Sequence, residues 1–205
     1  MVSYANGKNV WERVIRMVEI MQSIRPKWCG LIIHGKKTIE VRKTRPKCET
    51  PFKVYLYQTK RPVAVTFSGT GRHISEFDKC MWYNERSGKV MGEYVCNEIN
   101  TYQYLKEKCE YDRFYWFPGH RSRSCLSEED LLTYGGGKTL YAYHISDLKI
   151  YDKPLELRDF RHPCPYTEKP CSLCKYADYS GGELECRTGI ERAPQDWCYV
   201  RRIKE

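Results

Sequence analysis

The stretch of sequence that decides the fold is IRPKWCGLIIHGKKTIEVR, residues 24–42. Pro26 suits the first turn of a helix, where its missing N–H would be unpaired anyway, and the apolar residues after it predict a short helix through Ile33. Gly35 then ends the helix, because glycine tolerates the left-handed backbone conformation. From Lys37 to Arg42 polar and apolar residues alternate, which predicts a strand.

Three charged side chains of this stretch have a spacing that suits a ligand cleft. Glu40 and Arg42 are two residues apart in the predicted strand, so they lie on one face of it. Lys37 reaches the same face if the turn after Gly35 redirects it. Arg42 offers a planar fork of donors and Glu40 accepts from amino or hydroxyl groups, so the cluster suits a ligand with phosphate groups or base edges. The simpler alternative is an exposed ion pair on a strand, which contributes little.

The rest of the chain predicts short helices and strands around a curved sheet or small barrel, an α+β fold. A capping box and an apolar stripe predict a helix over about 9–18, although its last residues also fit a strand. The further predicted helices are 101–109 and 127–134, the second capped by Ser127. The further predicted strands are 52–58, 63–67, 90–99, 139–145 and 148–151, and the segment from Pro154 to about 197 is rich in turns and cysteine. A glycine fingerprint in alternating βαβ units is absent from the sequence, which argues against a dinucleotide-binding fold.

The pattern Gly35-x-Lys37-x-x-Glu40-x-Arg42, directly after a short helix that opens with proline, resembles the signature of the ASCH domain, a branch of the PUA-like superfamily. Weaker resemblance extends over residues 20–152, through a strand at 88–95 and closing strands at 140–151. It implies a small PUA-like β-barrel with flanking short helices. We therefore predict an N-terminal helix (1–19), the barrel (20–153, with an insertion at about 60–88) and a Cys-rich C-terminal extension packed on it (154–205).

The resemblance implies a function in binding RNA or a modified nucleotide. The predicted charged cleft is lined by Lys37, Thr38, Glu40, Arg42 and Trp28. A protein-interaction scaffold, with the barrel as its framework, is a further alternative.

Some ASCH proteins are amidohydrolases that remove the acetyl group from N4-acetylcytidine. They use a lysine, a hydroxyl residue three positions later and a distant glutamate. Glu40 stands at the hydroxyl position here, and Glu93 or Glu98 is a candidate for the distant carboxylate. An amidohydrolase or ribonuclease would then use Lys37, Glu40 and Glu93. A carboxylate beside Lys37 pairs with it and holds it charged, which favours binding over an acyl-enzyme.

Composition narrows the class of protein. The chain has 205 residues, with 35 Lys and Arg against 26 Asp and Glu, a net charge of +9. Its 17 Tyr, 6 Phe and 5 Trp argue against disorder. No apolar run approaches the roughly 20 residues of a membrane span, and charges interrupt the first twenty residues. We therefore expect a folded cytoplasmic protein with no membrane partner.

Basic and aromatic residues outside the motif suggest a surface for single-stranded nucleic acid. The segment 111–123 interleaves aromatic rings with cations, and more cations directly follow the motif, a composition in which rings stack on bases and cations neutralise phosphates. The alternative is that the rings fill a core and the cations lie on a solvated loop. The candidate nucleic-acid-binding residues are Lys43, Arg45, Arg113, Trp116, Arg121 and Arg123.

Five of the eleven cysteines crowd the last fifth of the chain. The two-residue spacing of Cys171 and Cys174 lets both thiolates reach one tetrahedral metal ion, and Cys164 and Cys186 complete a candidate structural zinc site. His162 or Cys198 is an alternative for one of these ligands. Unligated thiols and disulfides are the alternatives. No other cofactor is predicted.

Overall fold

The fold is described from a computed structural model for residues 17–60, 86–106, 112–114, 118–163, 177–180, 183–186 and 189–203. It is a mixed α+β fold with one curled sheet. Across the sheet the strands follow the order β11 (Trp197–Tyr199), β1 (Glu19–Ile24), β3 (Phe52–Gln58), β4 (Val90–Tyr102), β7 (Leu140–Leu155) and β2 (Ile39–Arg42). Only the pair of β1 and β3 is parallel among these described strands.

The curled sheet is a half-barrel with β11 and β2 as its edges. Three further strand pairs accompany it in the described part of the chain. They are β5 (Tyr104–Lys106) with β6 (Asp112–Phe114), β8 (Phe160–Arg161) with β12 (Arg201–Arg202), and β9 (Ala177–Ser180) with β10 (Glu183–Cys186).

Three helices lie in the described residues, α1 (Pro26–Ile33), α2 (His120–Ser124) and α3 (Glu128–Gly135). A 3₁₀ turn spans Leu157–Asp159. Helix α1 has the predicted bounds, with proline in its first turn and Gly35 just beyond it at φ +68°. Helix α3 has the predicted capping box between Ser127 and Asp130. None of these helices combines the length and apolar character needed to cross a bilayer.

Alternation along β1 divides the core between the two faces of the sheet. Ile20 and Ile24 belong to an inner cluster that also takes Ile32 from α1, whereas Met21 belongs to an outer cluster with Phe160. All five side chains are at most 1% exposed. Full burial of such a side chain contributes about 1.5–3 kcal/mol, so these clusters hold α1 and β1 firmly in place.

Two predictions about secondary structure are wrong. The predicted helix over 101–109 is strand as far as it is described, because β4 continues to Tyr102, which is buried and pairs with Leu140, and β5 follows. The predicted strands 139–145 and 148–151 are parts of the single strand β7. Asp147 adopts φ +49° at a shift in register between β4 and β7, so the expected turn is an irregularity within the strand.

Several predicted segments lie wholly or partly outside the described residues. They include most of the helix over 9–18, the strand 63–67 and the insertion at about 60–88. Strand β11 belongs to the predicted C-terminal extension. It pairs with β1, with Trp197 opposite Gln22, and forms an edge of the main sheet.

The described cysteines with placed side chains are free thiols. Cys29 and Cys96 are buried, as expected for small apolar side chains, and burial raises the pKa of each thiol to about 12.

Candidate functional site

The structure brings together the three charged side chains of the motif. The Lys37 Nζ lies 3.4 Å from Glu40 Oε2, and the Arg42 Nε lies 3.1 Å from Glu40 Oε1. A tight turn after α1, in which the Lys37 N–H donates to the Leu31 carbonyl, redirects Lys37 as the sequence requires. The exposed fractions of Lys37, Glu40 and Arg42 are only 2%, 6% and 7%. The alternative of an exposed ion pair on a strand is therefore wrong.

A fourth charged residue completes this cluster from far along the chain. The Arg42 Nη1 donates to Asp196 Oδ1 at 2.8 Å, and the Nη2 donates to the Ser23 carbonyl at 2.7 Å. Asp196 directly precedes β11, so this contact joins the two edges of the half-barrel. We call Lys37, Glu40, Arg42 and Asp196 the motif cluster.

Burial changes the acid–base properties of the motif cluster. Burial lowers the pKa of Lys37, and the opposing effect of Glu40 is smaller. We expected pairing with Glu40 to hold Lys37 charged, but burial, which favours the neutral amine, has the larger effect on its pKa. Burial alone would also lower the pKa of Arg42, but the carboxylates of Glu40 and Asp196 outweigh it and raise the value.

Lys37 has a second partner in α2, because its ammonium donates to the Ser124 carbonyl. The same helix holds Thr38, whose N–H donates to the Arg123 carbonyl and whose Oγ1 accepts from the Arg123 Nε at 3.2 Å. A predicted cleft residue and a predicted nucleic-acid-binding residue are therefore in contact. Arg121 and Arg123 are both exposed.

Polar groups continue from the motif cluster into the core. Tyr94 donates its hydroxyl to Gln22 Oε1 at 2.9 Å, and both side chains are completely buried. The Gln22 Nε2 has no hydrogen-bond acceptor among the described residues. Nearby Glu40 raises the pKa of Tyr94 beyond the larger increase that burial causes, so this hydroxyl stays protonated.

Aromatic rings and cations lie at the surface beside the motif cluster. Trp28 is half-buried, with the Lys27 Nζ 4.5 Å and the Lys37 Nζ 5.3 Å from its ring centroid. Tyr134 of α3 is 38% exposed, and the Lys43 Nζ lies 4.8 Å from its ring centroid. We call Lys27, Trp28, Lys43 and Tyr134 the rim. Lys27 and Lys43 are exposed, so both are available to an anionic partner.

Glu93 does not join the motif cluster. It accepts from the Tyr151 hydroxyl at 2.6 Å and from the Lys53 Nζ at 3.3 Å. Its neighbour Tyr94 lies on the inner face, and successive strand residues point to opposite faces, so Glu93 belongs to the outer face. A catalytic set of Lys37, Glu40 and Glu93 is therefore not assembled.

The remaining predicted residues are placed as follows. Arg45 is exposed in the loop after β2, and Arg113 lies in β6, where only the backbone is described. Trp116 lies outside the described residues. So do Cys164, Cys171 and Cys174, whereas Cys186 ends β10, of which only the backbone is described. Over the described ranges no group of three metal-ligating side chains is found, so zinc stays a prediction.

Sequence analysis missed Asp196 and Tyr134. Asp196 lies 154 residues after Arg42, so no spacing within one element could reveal the contact. Tyr134 lies in a helix that the sequence predicted, and its surface position beside Lys43 depends on how that helix packs.

In the part of the chain that the structure describes, cavities lie away from Lys37, Glu40 and Arg42. One of about 460 Å³ is bordered by Gly88, Glu156 and Ile190, and another of about 760 Å³ by Val18, Cys48 and Trp197. Neither is lined by Lys37, Glu40 or Arg42.

Comparison with known proteins agrees with the motif. A family model described as ASCH domain matches residues 23–152. A crystal structure of ASCH from Zymomonas mobilis has 18% identity and a TM-score of 0.44, covering 68% of this chain and 73% of that one. A serine-to-alanine mutant of the Zymomonas mobilis protein has 16% identity and a TM-score of 0.47, with coverage of 89% and 88%. None of the curated proteins compared with the chain matches it. The family model spans well over half of the sequence, and the chain therefore belongs to the ASCH domain family.

Proposed function

We propose that the protein binds single-stranded RNA or a modified nucleotide at the rim. The observation that carries this proposal is the half-buried ring of Trp28, with one exposed cation and one buried cation within about 5 Å of it. Such a ring offers one base a stacking surface, while exposed lysines neutralise the adjoining phosphates.

Two wider features support the same function. ASCH domains are generally RNA-binding modules with a PUA-like fold. The net charge of +9 favours a polyanionic partner, and exposed cations lie at both ends of the short strand β2. Arg123 lies at its start, through the contact with Thr38, and Arg121 belongs to the same helix. Lys43 and Arg45 lie just after its end.

A second candidate function is hydrolysis of an acylated nucleoside or of RNA. The observation that favours it is the burial of Lys37, which lowers the pKa of its amine, because a lysine gives up its proton more readily and acts better as a base when its pKa is lowered. Two contacts oppose an acyl-enzyme on Thr38: its hydroxyl accepts from Arg123, and the Lys37 ammonium donates to the Ser124 carbonyl.

A panel of short single-stranded RNAs and of nucleosides, including N4-acetylcytidine, separates these functions when it is scored for both binding and turnover. The proposal expects RNA binding that weakens with salt and no turnover. Turnover that disappears in Lys37→Ala would replace it by the hydrolase. Neither binding nor turnover would contradict both and favour a protein-interaction scaffold.

We also propose that Cys164, Cys171, Cys174 and Cys186 hold a structural zinc ion. The short spacing of Cys171 and Cys174 supports this set. Metal analysis of protein purified without chelator should find one zinc ion per chain. Free thiols without zinc would contradict the proposal.

A further inference from the structure

The guanidinium of Arg42 already holds an anion. Its Nη1 donates to Asp196 Oδ1 at 2.8 Å, its Nη2 donates to the Ser23 carbonyl at 2.7 Å, and Glu40 lies 3.1 Å from its Nε. Arginine binds carboxylate and phosphate through the same fork of N–H groups. Asp196 thus occupies a position that a phosphate oxygen of a guest would need.

Asp196 is fixed in this position by several contacts. Its Oδ2 accepts from the Thr44 hydroxyl at 2.6 Å, and the Trp197 Nε1 donates to the same hydroxyl oxygen at 2.7 Å. Its backbone carbonyl accepts from the Ser23 N–H at 3.0 Å. A phosphate that displaced the Asp196 carboxylate would have to break charged hydrogen bonds, each of which is stronger than a neutral one.

The charges of the motif cluster are balanced before any guest arrives. Two cations, Lys37 and Arg42, face two carboxylates, Glu40 and Asp196. Because each sign is represented twice, the cluster has no excess of positive charge. A dianionic phosphate placed there would lose its hydration without gaining a net electrostatic attraction in return. At the rim, a phosphate would meet exposed lysines and would not have to give up its hydration.

We infer that Asp196 determines specificity by filling the anion site of Arg42, so that phosphate is excluded from the motif cluster. The guest then presents a neutral base to the motif cluster and keeps its phosphates at the rim. The identity of the guest rests on the proposed function, but the exclusion of phosphate by Asp196 does not.

One N–H group of Arg42 supports a neutral base as the guest. The Arg42 Nε is buried, and within the described residues it has no acceptor aligned for a hydrogen bond, since Glu40 Oε1 makes only a charge contact with it. A base carbonyl is an acceptor of the kind that this N–H lacks. Asp196 lies outside residues 23–152, so this device belongs to a part of the chain that the family model does not cover.

To test this inference, inorganic phosphate is titrated into the wild type, Asp196→Asn and a control variant, Asp152→Asn. The Arg42 Nε–H signal is followed by NMR during each titration. Asp152 is exposed on β7. The wild type and the control should leave this signal unchanged. Asp196→Asn removes the competing charge, and its affinity for phosphate at Arg42 should rise about tenfold or more.

Two results would overturn the inference. One is a phosphate-dependent shift of the Arg42 signal in the wild type, a measurement that needs no variant to fold. The other is folded Asp196→Asn or Asp196→Ser protein that binds phosphate no more tightly than the wild type.

A separate titration with single-stranded RNA distinguishes this inference from the proposed function. If wild-type protein binds no RNA, the proposed function fails, while the phosphate response of Asp196→Asn still decides the role of Asp196. If RNA binds, the rim lysines can favour a monophosphate over its nucleoside in the wild type, but this preference should not depend on Arg42, and Asp196→Asn should increase it. A wild-type preference for the monophosphate that depends on Arg42 would contradict the inference.

Discussion

Most residues of the motif cluster and of the rim come from one short stretch of sequence, residues 27–43, yet their charged side chains have opposite surroundings. Lys37, Glu40 and Arg42 are buried, and each has a protein partner. Lys27 and Lys43 are exposed, and each lies over an aromatic ring. Charges of the first kind contribute to folding and are costly to unpair, whereas charges of the second kind are available to a partner. Substitutions should therefore separate stability from binding within a few residues.

The largest effect is expected for Glu40→Ala. The change leaves Lys37 and Arg42 buried without the carboxylate between them, and breaking a buried ion pair costs about 3–5 kcal/mol. Urea unfolding should show a loss of that size in the free energy of unfolding. Glu49→Ala, an exposed change in the next loop, serves as the control and should alter stability little. Equal effects of the two changes would contradict the role of Glu40 as the carboxylate that pairs the buried cations of the motif cluster.

Trp28→Ala should have the next largest effect, on binding; it also removes packing against the inner cluster, so the affinity is compared with that of the conservative variant Trp28→Phe. Loss of one stacked base weakens binding by about 1–3 kcal/mol. Fluorescence anisotropy with a short labelled RNA measures this loss, and Trp28→Phe should retain most of the affinity. If Trp28→Ala unfolds the protein and Trp28→Phe binds RNA as weakly as a denatured control, the ring belongs to the core instead.

Lys43→Ala should change the salt dependence of RNA binding. Each phosphate contact contributes about 0.7 to the slope of log K against log salt for a single strand, so the slope should become shallower by about that amount. Lys153→Ala, an exposed change on β7, should leave the slope as it is. A slope that changes equally in both variants would indicate diffuse attraction and no contact at the rim.

The smallest effect concerns Glu93, which lies on the outer face and outside both groups. Burial raises the pKa of Glu93, but the Tyr151 hydroxyl and the charge of Lys53 outweigh burial and hold the value below its usual range. Its ionised form thus stabilises the fold above the pKa of the unfolded chain, and this contribution is lost as the pH falls through the lower folded value. Glu93→Gln should destabilise the protein by about 0.5 kcal/mol at neutral pH, with no difference in acid. Urea midpoints across pH measure this, and a difference that grows in acid would reverse the sign.

Local sequence predicted the parts of the molecule that local rules determine. Helix α1 follows from Pro26 and Gly35, and the convergence of Lys37 with Glu40 and Arg42 follows from one turn and the period of a strand. The strand at 101–106 could not be predicted in this way, because pairing of Tyr102 with Leu140 outweighs local propensity.

The remainder of the site depends on contacts between distant parts of the chain. Burial of the motif charges requires Asp196, Ser23 and Ser124, none of which the motif specifies. The charged side chains from which we predicted an open cleft are therefore part of the contact between the two edges of the sheet. Alternation along β4 places Glu93 on the opposite face of the sheet. The pattern of one strand does not show which of its faces lies towards Lys37 of another part of the chain, so this separation could not be predicted.

The indole N–H signals of ¹⁵N-labelled protein during titration with short single-stranded RNA give the most direct test of the proposed binding surface. The account predicts that the Trp28 signal shifts in proportion to RNA bound, while the free energy of unfolding of the RNA-free Trp28→Phe variant stays close to that of the wild type. Saturable RNA binding that leaves the Trp28 signal in place would contradict it.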